Sequence, residues 1–116
     1  MKKIAIIIAS HQGLAQALTI HRELPETELF YAGEGQENPC TSINSIPAFV
    51  ATNFTCYEGL VFIGALGICV RSIAPCIHSK YTDPAVVNID STGKHVISVL
   101  SGHVGGANEL TRRLAS

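Results

Sequence analysis

Lys3-Ile4-Ala5-Ile6-Ile7-Ile8-Ala9 decides the class of this chain. The run is short, rich in β-branched residues and apolar at consecutive positions. A strand of that kind has no face to offer water, so it belongs in the middle of a parallel sheet covered on both sides. Ser10 then offers an N-cap, and Gly13 onward reads as a helix. Leu14, Ala17, Leu18 and His21 recur at helical spacing and turn one face to the sheet, and Pro25 stops the pattern.

The same alternation continues outward. Residues 28–32 form a second strand, and residues 33–42, rich in Gly, Glu, Asn and Pro, form a long surface loop. Ser45 and Pro47 mark an N-cap and a first helical turn; that helix carries Phe49, Val50, Asn53 and Phe54 and runs to about Tyr57. A third buried strand, 59–64, exits through Ala65-Leu66-Gly67 into a helix with Leu66, Cys69, Val70 and Ile73 on one face, ended by Pro75. Residues 76–84 connect to two further strands, 85–90 and 95–100. Only Ser91-Thr92-Gly93-Lys94 lies between them, too little for a crossover helix, so they form an antiparallel hairpin. A last helix turns Ala107, Leu110 and Leu114 inward.

The order β-α-β-α-β-α-β-β-α predicts an α/β fold: a three-layer α/β/α sandwich around a mostly parallel five-stranded sheet with one antiparallel edge strand. Residues 1–116 make a single domain. Right-handed crossovers start the strand order 2-1-3. Strand 95–100 feeds a helix as the parallel strands do. The expectation is therefore that it lies beside 59–64 and leaves 85–90 as the antiparallel edge.

With 47% apolar residues a sizeable core can be buried, and the 15% charged fraction leaves surface for another domain, subunit or ligand to cover. A net charge of -1 lacks the basic footprint of a nucleic-acid binder. The N-terminal apolar run, about six residues, is shorter than a signal-peptide core of roughly 7–15, and no stretch approaches the roughly 20 residues of a membrane span. A soluble, cytoplasmic protein is expected. Cys40, Cys56, Cys69 and Cys76 show neither C-x-x-C spacing nor a His that completes a zinc pattern, so no metal site is expected and the thiols read as reduced and structural.

Ligands of such sheets bind beyond the carboxyl ends of the strands, where strand order reverses. Three strand-to-helix loops are expected to meet there: Ser10-His11-Gln12-Gly13, Gly64-Ala65-Leu66-Gly67 and Ser101-Gly102-His103-Val104-Gly105-Gly106. Each opens a helix whose first N–H groups and dipole favour anions. Gly102, Gly105 and Gly106 fit neither a P-loop nor G-x-G-x-x-G. They serve either close approach to a ligand or tight turns and packing. His103, set among them, is either a proton-transfer group or a hydrogen-bonded structural residue; His11 has a weaker version of the same two readings. His21 and His95 read as structural, and His78 is open. Arg71 and Lys80 are either solvated cations or holders of substrate carboxylates, and Asp83-Pro84 starts a turn. Asn108 and Glu109 cap the last helix or reach the site.

At these residues a resemblance appears. Gly67-Ile68-Cys69-Val70-Arg71-Ser72-Ile73-Ala74-Pro75, then Lys80-x-x-Asp83-Pro84-Ala85-Val86-Val87, Asp90-x-x-Gly93, and Leu100-Ser101-Gly102-His103-Val104-Gly105-Gly106-Ala107-Asn108-Glu109-Leu110 resemble the N-terminal domain of the CbiG family. These are the cobalt-precorrin-5A hydrolases of anaerobic cobalamin biosynthesis. The resemblance is strong over 59–115 and loose over 1–58.

The resemblance implies an enzyme that opens the ring A lactone of cobalt-precorrin-5A and releases a two-carbon unit as acetaldehyde, giving cobalt-precorrin-5B. It implies no cofactor, because cobalt arrives inside the substrate. It implies carboxylate binding by Arg71, Lys80 and helix N-termini, with Gly102, Gly105, Gly106, Asn108 and His11 lining the substrate. His103 is the candidate acid/base, the N–H groups of Gly105 and Gly106 the candidate oxyanion donors, and Ser101 a hydrogen-bond partner of the lactone or a nucleophile. The family's enzymes continue into middle and C-terminal domains, so partners in cis or in trans are expected. The rival readings are a non-catalytic tetrapyrrole- or anion-binding module, an anion- or nucleotide-binding domain unrelated to corrinoids, and a structural interaction domain.

Overall fold

β1 (Ile4–Ile8) is buried at every position and lies inside a six-stranded sheet. The computed structural model describes residues 3–35, 38–100 and 113–114. β1 pairs in parallel with β2 (Thr27–Tyr31) on one side and with β4 (Gly59–Ile63) on the other, Ile4 lying opposite both Thr27 and Gly59. β5 (Ala85–Ile89) extends the parallel set beside β4. Two edges complete the order β3-β2-β1-β4-β5-β6: β3 (Thr41–Ser42), parallel to β2, and β6 (Val96–Leu100), antiparallel to β5. β3 falls in the stretch read as loop, because two exposed residues leave no period to detect.

Helices cover both faces, which makes the three-layer sandwich. Ile4, Ile6, Ile8, Val61, Ile63, Val87 and Ile89 face α1 (Leu14–Glu23), which buries Leu14 and Ala17. Ala5, Ile7, Leu60, Phe62 and Val86 face α2 (Ile46–Asn53) and α3 (Leu66–Ile73). The strict two-residue alternation between these faces is the strand period made visible. Ser45 caps α2, its Oγ accepting from the Ala48 N–H at 3.3 Å, with Pro47 in the first turn; the helix ends at Asn53, short of Tyr57. Ser10 caps nothing with its side chain, because a 3-10 turn, His11–Gly13, precedes α1.

The hairpin is the reverse of the expected arrangement. β5 lies beside β4 in parallel, and β6 is the antiparallel edge. All five residues of β5 are buried, while every residue of β6 keeps some exposure. Fully burying a Val or Ile gains about 1.5–3 kcal/mol over leaving it exposed. The two strands carry three β-branched residues each, so composition alone does not choose between them; α3 with the 74–84 connection supplies the crossover that sets β5 in parallel beside β4.

This swap changes where the chain emerges. Call the end at which β1, β2, β4 and β5 finish the upper edge and the end at which they start the lower edge. β6 begins at the upper edge, Val96 opposite Ile89, and finishes at the lower edge, Leu100 opposite Val86.

The inner face of α3 also differs from expectation. Cys69, Ser72 and Ile73 are buried, whereas Leu66 and Val70 are 40% and 45% exposed. The buried stripe is rotated away from the apolar stripe that the sequence shows.

Candidate functional site

Strand order reverses between β1 and β4, and the loops that leave them at the upper edge are locked together. The Ala9 N–H donates to the Ile63 carbonyl at 3.1 Å, and the Gly64 N–H to that of Ile89 at 2.9 Å. Gly64 holds φ +153°, and a Cβ there would stand 2.8 Å from the Cβ of Ala9. A Cβ on Gly13 would meet Ile63 Cγ2 at 2.6 Å. At both glycines the missing side chain leaves the space that Ile63 Cγ2 and Ala9 Cβ take up.

Asn88 braces this junction from below. It is 2% exposed, and its Nδ2 donates to the Gly64 carbonyl at 3.3 Å, while its Oδ1 has no partner among the described residues. The sequence reading passed over it. The available signal was one amide side chain inside the apolar run Ala85-Val86-Val87-Asn88-Ile89, since a buried polar group costs free energy unless it is bonded.

α3 starts at this junction without a side-chain cap: Ala65 occupies the N-cap, and its carbonyl accepts from Ile68 and Cys69. Arg71 folds back along the helix toward that start. A Cβ on Gly67 would lie 3.3 Å from Arg71 Nη1. A cation beside a helix N-terminus is repelled by the dipole, and an anion placed there is attracted by both. The sequence holds no Asp or Glu from Gly59 to Thr82, so no local carboxylate satisfies the guanidinium. His11, exposed in the 3-10 turn after β1, shares the upper edge with Arg71.

Lys80 is not brought to them. It belongs to the loop that enters β5 at the lower edge, exposed, with Nζ 5.4 Å from the centre of the Tyr81 ring. Asp83 organises that loop: its Oδ2 accepts from the His78 and Ser79 N–H groups at 2.8 and 3.0 Å, and the Asp83 N–H donates to the Ser79 carbonyl at 2.8 Å. The turn expected to start at Asp83-Pro84 instead ends there: it runs from Ser79 to Asp83, closed by the Asp83 side chain as well as its backbone, and Pro84 leads straight into β5.

Ser101, Gly102, His103, Gly105, Gly106 and Asn108 lie outside the described residues. The chain enters their run from Leu100 at the lower edge, the end that carries Lys80. Of the three loops expected to meet at the upper edge, the two that follow β1 and β4 are there, and the third lies outside the described residues. That expectation took the final strand as parallel, whereas β6 is antiparallel and ends at the lower edge.

Among the described residues, no three His, Cys, Asp or Glu side chains are grouped to hold a metal ion, and no helix is long and apolar enough to cross a membrane. Cys40 and Cys69 are buried, Cys76 is half-buried and Cys56 is exposed; burial pushes the Cys69 thiol up to about 12. A cavity of about 270 Å³ lies on the α1 face, lined in part by Gln16, Ile20, Ile89, Gly93, Val96 and Leu114.

Residues 48–116 match the family model described as cobalamin synthesis G N-terminal. The chain is 40% identical over 118 residues to a cobalt-precorrin-5A hydrolase of Priestia megaterium, covering 97% of this chain and 32% of that protein. It is 64% identical over 62 residues to a cobalt-precorrin-5A hydrolase of Salmonella typhimurium, covering 53% of this chain and 18% of that protein. A solved structure of a cobalamin biosynthesis protein G homologue from Sulfolobus solfataricus aligns with a TM-score of 0.73 at 30% identity, over 97% of this chain and 33% of that one. The chain spans about a third of the length of the first and last of these relatives.

Proposed function

This chain belongs to the cobalamin synthesis G N-terminal family, and from that premise we propose that it is the N-terminal domain of a cobalt-precorrin-5A hydrolase. The observation that carries the reading is the family match over residues 48–116, which contains Arg71, Lys80 and the whole glycine-rich run. Supporting it, Arg71 has no acidic neighbour in its own segment and stands at an uncapped helix start, an arrangement that suits a substrate rich in carboxylates.

In this reading the enzyme opens the ring A lactone of cobalt-precorrin-5A and releases acetaldehyde. Water adds to the lactone carbonyl, the electron pair moves onto oxygen, and collapse expels the ring alkoxide, which takes up a proton. His103 moves the protons, and the Gly105 and Gly106 N–H groups receive the oxyanion. Ser101 hydrogen-bonds the lactone, and Asn108 contacts the substrate close by. Lys80, at the edge where Leu100 leaves the sheet, holds a carboxylate. Arg71 and His11 serve the upper edge. Carbon–carbon cleavage uses the conjugated macrocycle as electron sink, so the chain needs no cofactor of its own, and cobalt enters as part of the substrate. The remaining domains act with this one, in cis or in trans, in the cytoplasm.

The test is His103→Ala in the enzyme assembled with those domains, followed by acetaldehyde release. A fall of at least a hundredfold is expected, in the range of a lost general acid/base; unchanged turnover rejects the assignment of His103. A second reading, a non-catalytic tetrapyrrole- or anion-binding module, is favoured by one fact: the chain is about a third of its relatives' length. Undiminished acetaldehyde release by the other domains without this one would establish it.

A further inference from the structure

Five large apolar side chains stand well exposed among the described residues, and four of them fall in one segment: Leu66 at 40%, Val70 at 45%, Ile77 at 48% and Tyr81 at 72%. Leu66 and Val70 are one helical turn apart on α3, and Ile77 follows the 3-10 turn Ala74–Cys76 that prolongs the helix. At 100° per α-helical residue and about 120° per 3-10 residue, Leu66 and Val70 fall about 40° apart and Ile77 about 60° further round, a band on the shoulder of the helix beside its buried face. The Arg71 guanidinium, at Gly67, marks the upper end. Lys80, over Tyr81, marks the lower end. Counting 1.5 Å per α-helical residue and about 2 Å per 3-10 residue, Gly67 to Ile77 spans on the order of 15 Å, and Lys80 lies three residues beyond.

The segment from Gly59 to Thr82 contributes no Asp or Glu, and the Asp83 carboxylate that folds onto the His78 and Ser79 N–H groups belongs to a residue only 6% exposed. An apolar band with a cation at each end complements one kind of occupant: a broad apolar body with carboxylates on its rim. A protein partner is the poorer match. A stable protein interface takes about 800 Å² from each side, more than four part-exposed side chains supply.

We infer that the outer face of α3 and the loop after it, from Leu66 to Tyr81, form a binding surface for a flat, carboxylate-rimmed macrocycle, lying on Leu66, Val70 and Ile77 with its acid groups reaching Arg71 and Lys80. The surface deepens the reading of the chain as part of a cobalt-precorrin hydrolase, on which the identity of the ligand rests. It places the ring on a helix face, not in the crevice between β1 and β4, where Gly64 and Ala9 leave no room. Leu66 and Val70 then remain exposed because the ligand, not the sheet, covers them.

The 116-residue chain is titrated with uroporphyrin, an octacarboxylate macrocycle, and binding is read from quenching of porphyrin fluorescence. Arg71→Gln and Val70→Ser are each expected to weaken binding at least tenfold, and Lys80→Gln several-fold. Ile97→Ser, at the exposed apolar position on β6, is expected to change nothing. All four positions are at the surface, and circular dichroism checks each fold. No binding by the wild-type chain, equal loss in Ile97→Ser, or full binding by Arg71→Gln and Val70→Ser overturns the surface. The hydrolase reading is decided separately by acetaldehyde release, so the two can fail independently.

Discussion

The Arg71 guanidinium lies over Gly67: a methyl group on that glycine would begin 3.3 Å from Nη1. Four residues apart on α3, the two make one surface, since the missing side chain at 67 leaves the space into which Arg71 folds.

Gly67→Ala is therefore expected to separate stability from binding. Gly67 is inside a helix and needs no positive φ, so alanine gains up to about 1 kcal/mol in helix propensity. The obstacle it meets is the mobile end of an arginine, which gives way at small cost. The melting temperature should rise by a few degrees, while affinity for carboxylated macrocycles falls. A melt and a titration on the same sample check both signs.

Gly64→Ala should do the opposite. The new Cβ stands 2.8 Å from Ala9 Cβ on a backbone at φ +153°, and both neighbours are held by the hydrogen bonds that close the sheet. A loss of about 2–3 kcal/mol is expected, of the size set by strained backbone plus overpacking, readable as a lower urea midpoint.

Thiol chemistry should rank the cysteines. Cys56 is exposed, while Cys69 is fully buried and its thiol is pushed up to about 12 by burial, so almost none of it is thiolate at neutral pH. Iodoacetamide is expected to modify Cys56 in the native chain and to reach Cys69 only in denaturant, as peptide mass mapping will show. Early modification of Cys69 would contradict its place on the buried face of α3.

Asp90 predicts a pH dependence. The Thr92 hydroxyl, donating at 2.6 Å, and the His95 N–H, at 2.9 Å, hold its carboxyl below the usual carboxylate range. A carboxyl with a lowered folded-state pKa binds fewer protons when native than when unfolded, so its stabilisation is present above its unfolded pKa and disappears as pH falls through the folded one. Asp90→Asn should flatten the decline of stability below about pH 4 without steepening it at neutral pH, measured by denaturant midpoints across pH. The group is exposed, so the effect should be small.

Much of the fold was legible in sequence because it is local. The run Ile4–Ile8, the Ser45 cap with Pro47, and the four-residue link after Asp90 each state their geometry within a few residues. The misreadings were non-local. Leu66 and Val70 look like core by periodicity, yet α3 is rolled so that Cys69, Ser72 and Ile73 face inward; which stripe is buried depends on what the sheet offers it. Asn88 was invisible as a brace because its partner, the Gly64 carbonyl, is 24 residues away.

What residue order alone determined is the alternation of strands and helices, the parallel class of the sheet and the family motif, since periodicity and turn chemistry act over a few residues. Only the tertiary structure decided that β5 is interior and β6 the edge, and therefore that Arg71 looks to one end of the sheet while Leu100 and Lys80 lie at the other. Two strands of one hairpin can compete for the same neighbour, and periodicity does not choose between them when each carries three β-branched residues; the crossover through α3, a contact made across the chain, brings β5 beside β4.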